Sequence, residues 1–218
     1  MRMAGTMELI CDKDGRVAIT DGTMTLAGDY TAFAKRLAPH ALNRELLVRA
    51  ARLKGLDHVP VAVDATAGLG EDSLLLAAAG FEVTLIERDP LVAAVTADAI
   101  NRGLNDDTLR DACSRMHLIE GDSAEIIPTL PRPIDIVYLD PMFPARGKDS
   151  ATKKKLQMVR QLEEPATEAE ERRLLEAAYA VSPRRIIVKR PLKGPYLGDQ
   201  KPSHSISGKL IRYDCLIS

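Results

Sequence analysis

The sequence predicts an α/β protein built on a mostly parallel, doubly wound sheet with a small amino-terminal α+β extension. Three observations carry that expectation. Apolar strand patterns alternate with helical ones from Val59 onward; the first, Val61-Ala-Val-Asp64, runs into Ala-Thr-Ala-Gly68-Leu-Gly70; and 76 residues beyond Asp64, Ile136-Val-Tyr-Leu-Asp140 ends in a second acidic turn. Such alternation is what parallel strands joined by crossover helices require.

The elements follow in order. Arg16 to Thr20 reads as a short strand, and Tyr30 to Lys54 as largely helical, its Tyr30, Phe33, Leu37, Leu46, Leu47, Ala50 and Leu53 forming one apolar face. Val59 to Ala65 is the first buried strand and Asp72 to Ala79 the helix after it. Glu82 to Glu87 is a strand, Leu91 to Arg102 a helix, His117 to Glu120 a short strand, Ala124 to Leu130 helix-like, and Ile134 to Leu139 a strand. Glu168 to Val181 is helical, and Arg185 to Lys189 and Lys209 to Ile217 are strands. No internal repeat is present. The best boundary lies before the first Rossmann-like strand, dividing an extension, residues 1–57, from a domain spanning residues 58–218.

Composition limits what such a chain does. With 218 residues, 45% of them hydrophobic, it can bury one substantial core. No apolar run approaches the roughly 20 residues that cross a bilayer, and the amino terminus lacks a signal-sequence pattern, so a soluble cytoplasmic protein with no membrane partner is expected. Cys11, Cys113 and Cys215 are far apart, and His40, His58, His117 and His204 have no ligand spacing, so no metal site is expected. The sequence leaves the oligomeric state open.

Net charge is −1, so any case for nucleic acid must be local. Between Pro141 and Leu162 stand Arg146, Lys148, Lys153, Lys154, Lys155 and Arg160 against one acid, Asp149. Between Arg184 and Lys193 stand Arg184, Arg185, Lys189, Arg190 and Lys193 with no acid. Six glutamates between Glu163 and Glu176 separate the two runs. A solvated surface would look similar, but both runs adjoin carboxyl ends of expected strands, where open α/β sheets bind ligands. Ala145 to Pro165 is long and charged for a connection and is a candidate substrate loop.

Gly68 and Gly70 allow backbone to approach a ligand while the chain turns from strand to helix. The spacing is Gly-x-Gly-x-x-Ser73, without the third glycine of the dinucleotide fingerprint, which leaves a nicotinamide site open but disfavoured. Glu87, ending the second strand, is placed to accept ribose hydroxyls; the plainer reading is a surface acid paired with Arg88. The second acidic turn, Asp140-Pro141-Met142-Phe143-Pro144, reads as an amine-acceptor array. An exocyclic amine is a poor nucleophile until its nitrogen pyramidalises. The Asp140 carboxylate and Pro141 carbonyl can accept its two hydrogens while Phe143 stacks on the base. Read alone, an Asp-Pro turn with a core phenylalanine explains the same residues.

Asp64-Ala-Thr-Ala-Gly-Leu-Gly-Glu71-Asp72, Leu85-Ile-Glu-Arg88, Tyr138-Leu-Asp-Pro-Met-Phe-Pro144, Lys153-Lys-Lys155 and Val188-Lys-Arg-Pro191 together resemble the ribosomal RNA small subunit methyltransferase J family, from about Val59 to the carboxyl terminus. That resemblance implies a class I methyltransferase fold, S-adenosyl-L-methionine as cofactor, and methylation of a guanine N2 amine in 16S ribosomal RNA, free or within the small ribosomal subunit. It implies cofactor contacts at Glu71, Asp72, Glu87, Arg88, Asp122, Ser123 and Asp140; the glycine turn adds Asp64, Gly68 and Gly70 to the expected cofactor site, and the amine-acceptor reading puts catalysis at Asp140, Pro141 and Phe143. Contacts to RNA phosphate are then expected from Lys148, Lys153, Lys154, Lys155, Lys189 and Arg190. Amino methylation of DNA or protein glutamine, and a noncatalytic nucleotide- or RNA-binding module, are the alternatives. A carboxylate at Asp140 would repel phosphate in a pure binding module, which argues against the last.

Overall fold

The computed structural model describes residues 7–141 and 166–217. Met142 to Pro165 lie outside them, so the expectations for Phe143, Lys148, Lys153, Lys154 and Lys155 do too. A seven-stranded sheet organises the chain. Its parallel strands are β4 (Val61–Asp64), β5 (Glu82–Glu87), β6 (Met116–Glu120), β7 (Ile136–Leu139) and β8 (Arg185–Pro191). A hairpin of β9 (His204–Ser207) and β10 (Ile211–Leu216) adds two antiparallel strands, giving the order β6-β5-β4-β7-β8-β10-β9. The chain winds outward from β4 through β5 and β6, then returns to the other side of β4 with β7. That reversal sets Asp64 and Asp140 at neighbouring strand ends, the switch point where such sheets bind ligands.

Strands buried on both faces need apolar residues at every position, and β7 meets that demand with all four residues buried. Its Ile136 and Tyr138 face one layer with Ala62, Val83 and Ile187, under helices α3 (Leu46–Ala51), α4 (Glu71–Ala78), α5 (Pro90–Leu104) and α6 (Arg110–Cys113). Val137 and Leu139 face the other with Val63, Ile86 and Ile186, under α8 (Glu168–Ala180) and the turn that follows α7 (Ser123–Ile126).

Several bounds differ from the sequence reading. The span Tyr30 to Lys54 is not one helix but a 3₁₀ turn (Thr31–Phe33), α1 (Ala34–Leu37), α2 (Pro39–Leu42) and α3. Pro39 forces Ala38 out of the helical region, to φ −57° and ψ 136°, and Glu45 repeats the break at ψ 128°. Sequence patterning missed β1 (Glu8–Cys11) and β3 (Thr25–Ala27), which flank β2 (Val17–Thr20) in a separate three-stranded sheet, and also β9 and α6. Each of the four offers only three or four residues, too few for a period to show. The small sheet packs Ile19 and Leu26 on Leu69, Val92 and Val95, and Tyr30, Leu47 and Ala50 join the core of the large sheet.

That packing reaches the glycine turn. Buried Tyr30 donates its hydroxyl to the Leu69 carbonyl at 3.0 Å, and Thr96 donates to the Gly68 carbonyl at 2.7 Å. Gly70 caps α4 at φ +71°, and a β-carbon there would lie 2.4 Å from the Tyr30 hydroxyl. Gly70→Ala is therefore expected to cost roughly 2–4 kcal/mol, from backbone strain plus the clash. Gly15→Ala, at φ +76° with open space around it, meets the strain alone. Thermal unfolding of the two variants checks this; equal losses would show that Tyr30 does not constrain the turn.

Candidate active site

The carboxyl ends of β4, β5 and β7 open into a cavity of about 390 Å³. The glycine turn forms one wall, Glu87 and Arg88 a second, and Asp122 with Ser123 a third; Asp140 and Pro141 close the end beside Lys189. Volumes of this size hold a nucleoside-sized ligand. The sequence-predicted residues Asp64, Gly68, Glu71, Asp72, Glu87, Arg88, Asp122, Ser123, Asp140 and Pro141 all line it. Gly70 stands behind the wall and sets its curvature through α4.

Each carboxylate is held by a specific donor. Asp64, ending β4, is 1% exposed; its Oδ2 accepts from Ser73 Oγ at 2.5 Å and its Oδ1 from the Thr66 amide at 3.1 Å. Burial pushes its pKa up to about 7, opposed by the Ser73 and Thr66 hydrogen bonds. Glu87 is 3% exposed and accepts from the Gly68 amide and the Asp89 amide, both at 2.8 Å. One side chain thus locks the glycine turn to the start of α5, where Asp89 caps the helix by accepting from the Leu91 and Val92 amides. Arg88 does not pair with Glu87 as the plainer reading had it; its guanidinium lies 3.6 Å from Glu170 on α8. Asp122 caps α7 through the Ala124 amide at 2.8 Å, and Ser123 donates to the Ala65 carbonyl at 2.6 Å.

Sequence reading missed α8 as a wall. Arg173 reaches Asp122 at 2.8 Å and Glu125 at 3.0 Å, tying the helix to α7, and Glu170 also closes a capping box with Thr167. The box was legible as Thr167-x-x-Glu170, but nothing in the sequence said which cavity it faced. Tyr138 was legible only as a strand residue. Its hydroxyl donates to Asp72 Oδ2 at 2.6 Å, across the end of β7.

Two of the residues expected to contact phosphate stand in ion pairs. Lys189 Nζ is 2.8 Å from Asp72 and 2.9 Å from Asp140. Arg190 is 1% exposed and pairs with Glu171 at 2.9 Å. Among the described residues no group of acids, histidines and cysteines is arranged to hold a metal ion, and no helix is long and apolar enough to cross a membrane.

A family model described as "Putative SAM-dependent methyltransferase" matches residues 16–218. A ribosomal RNA small subunit methyltransferase J from Thioalkalivibrio sulfidiphilus is 44% identical over 186 residues, covering 84% of this chain and 71% of the relative. The chain belongs to this methyltransferase family. A relative of the same name from Pseudomonas savastanoi is 44% identical over 156 residues, 71% of this chain and 57% of the relative, so the match spans less than two thirds of that protein. Among solved structures, the SAM-dependent methyltransferase NGO1261 from Neisseria gonorrhoeae superposes with a TM-score of 0.75 at 29% identity, covering 100% of this chain and 85% of that one. The class I fold follows, with S-adenosylmethionine as cofactor.

The residues present fit that cofactor. It carries a sulfonium and an ammonium, and the lining is rich in carboxylates, among them Asp64, Glu71, Asp72, Asp122 and Asp140. Glu87 lines the cavity at the end of β5, and Ile86, Ala124 and Leu174 add apolar surface to it.

Asp64 sets a pH dependence. Its folded pKa lies above the unfolded value, so the stability it contributes is present below about 4 and is lost as pH rises through about 7. Asp64→Asn is expected to remove that loss, raising stability at pH 8 by up to about 4 kcal/mol and leaving it nearly unchanged at pH 4. Denaturant unfolding at both pH values tests this; equal shifts at the two would contradict the buried carboxyl account.

Proposed function

We propose that the chain methylates the exocyclic N2 amine of a guanine in 16S ribosomal RNA, acting in the cytoplasm on the RNA or on the small subunit. The observation that carries this reading is Asp140 at the cavity end, its side chain 37% exposed, followed directly by Pro141. The family relatives, named as ribosomal RNA small subunit methyltransferases, supply the substrate class.

When bound, S-adenosylmethionine supplies an electrophilic methyl group. What the chain contributes is orientation. Asp140 and the Pro141 carbonyl take the two amine hydrogens, so the nitrogen lone pair points into the cavity rather than into the ring. The amine gains a nitrogen–carbon bond as the methyl's bond to sulfur breaks, leaving a thioether, and gives up a proton, to Asp140 or to water. Phe143 is the candidate stacking group, and Lys148, Lys153, Lys154 and Lys155 the candidate phosphate contacts. With Lys189 and Arg190 facing inward, exposed Lys193 and Lys209 join them. Leu192, next to Lys193, bonds the carbonyl of Leu210, next to Lys209, at 2.9 Å, which puts both lysines at the active-site end of β8.

The experiment is transfer of labelled methyl to small-subunit RNA and to small subunits lacking the modification, followed by nucleoside analysis. Labelled N2-methylguanosine is expected. Asp140→Asn is expected to bind S-adenosylmethionine within about threefold of the parent yet lose roughly 10²–10³ in turnover. Label on another nucleoside, or none on either substrate, would overturn the assignment and favour DNA, protein or a noncatalytic role. Near-parental turnover in the variant would remove Asp140 from the mechanism.

A further inference from the structure

Lys189 sits where three elements meet. It projects from β8 with its side chain 24% exposed, and its single nitrogen contacts two carboxylates from different elements: Asp72 Oδ2 on α4 at 2.8 Å and Asp140 Oδ2 after β7 at 2.9 Å. Asp72 Oδ2 in turn accepts from the Tyr138 hydroxyl at 2.6 Å. The Asp140 amide donates to Thr66 Oγ1 at 2.6 Å, so the backbone of the residue is fixed as well. Among the described residues, Asp140 Oδ1 has no hydrogen-bond partner. A brace joining α4 to β8 would need only the Asp72 contact. The second contact goes to Asp140, the carboxylate that follows β7 and precedes Pro141 in the cavity lining.

We propose that Lys189 is a positioning residue for methyl transfer: its ammonium, fixed by Asp72, holds Asp140 by Oδ2 and leaves Oδ1 to receive the amine. This rests on the reading of Asp140 as the amine acceptor. A phosphate contact, the role the sequence suggested, needs an outward ammonium; this one is spent on two acids.

The groups facing the pair are Asp72 from α4, Tyr138 from β7, Arg190 from β8, Tyr213 from β10 and Asp64 from β4. Burial pushes the Asp140 pKa up; Lys189 opposes it most strongly, Asp72 adds to the rise and Arg190 opposes it. Burial alone would pull the Lys189 ammonium down, but Asp140 and Asp72 outweigh it and leave the pKa raised, so the cation persists across the working range. Burial raises both tyrosines, which stay neutral. Asp140 must be ionised to accept the amine. Without Lys189 it takes up its proton at higher pH, and the acid limb of activity moves up.

The test uses the full chain with Lys189→Met and Lys189→Arg. Carboxyl carbon-13 titration, with the Asp140 signal assigned by its loss in Asp140→Asn, is read beside the pH profile of turnover. Lys189→Met is expected to raise the Asp140 midpoint by about one to three pH units and carry the acid limb with it. Lys189→Arg should restore most of the midpoint, with RNA affinity and its salt slope unchanged in both. If Lys189→Met fails to fold because Asp72 is left unpaired, Asp72→Asn/Lys189→Met is compared with Asp72→Asn, so that the difference in midpoint reads Lys189 alone. An unmoved midpoint, or a reduced salt slope with the midpoint fixed, overturns the proposal. Should the parent transfer no methyl to small-subunit RNA, the substrate reading falls, while the carbon-13 titration still decides the role of Lys189.

Discussion

Like charges crowd at the carboxyl end of the sheet, and the local architecture follows from keeping each of them satisfied. Asp64, Asp72, Glu87 and Asp140 all line one cavity. Carboxylates withdrawn from water persist only with donors: Ser73 serves Asp64, backbone amides serve Glu87, and Lys189 is shared by Asp72 and Asp140. These bonds join β4, β5, β7, β8 and α4, so the sheet order and the acid cluster support one another. Removing the ammonium would leave the Asp72 and Asp140 carboxylates without the cation they share.

A surplus of negative charge suits a cationic cofactor and opposes a polyanionic substrate. The chain separates the two demands in space. Carboxylates line the cavity, while exposed Lys193 and Lys209 lie beyond it, around the end of β8. Glu170, Glu171 and Arg173 on α8 form part of the wall. Their pairs with Arg88, Arg190, Asp122 and Glu125 fasten the helix at the cavity wall. The exposed pairs among these are each worth little, and their value lies in fixing geometry.

Much of the fold was legible because parallel strands announce themselves as short apolar runs. Glu82 to Glu87 was read with its observed bounds, and Asp64 and Asp140 were read as strand-end acids because each follows such a run. The same property hid Lys189 and Arg190. A strand buried on both faces carries no alternation, so Ile186-Ile-Val188 says nothing about which way the next two cations point. The broken helix over Tyr30 to Lys54 was hidden differently: its apolar spacing survives the kinks at Pro39 and Glu45, because all its pieces face one core. The partners of Glu87 were beyond the sequence, since they are backbone amides and carry no side-chain signature.

The central claim is that the acid cluster polarises the cavity, with the ribose held at Glu87 and the reactive end at Asp140. A crystal structure with S-adenosylmethionine bound tests this most directly. The account predicts ribose hydroxyls roughly 3 Å from the Glu87 carboxylate and the methyl-bearing sulfur at the Asp140 and Lys189 end. A ribose held by Asp122 instead, or a sulfur directed toward α8 and away from Asp140, would contradict it.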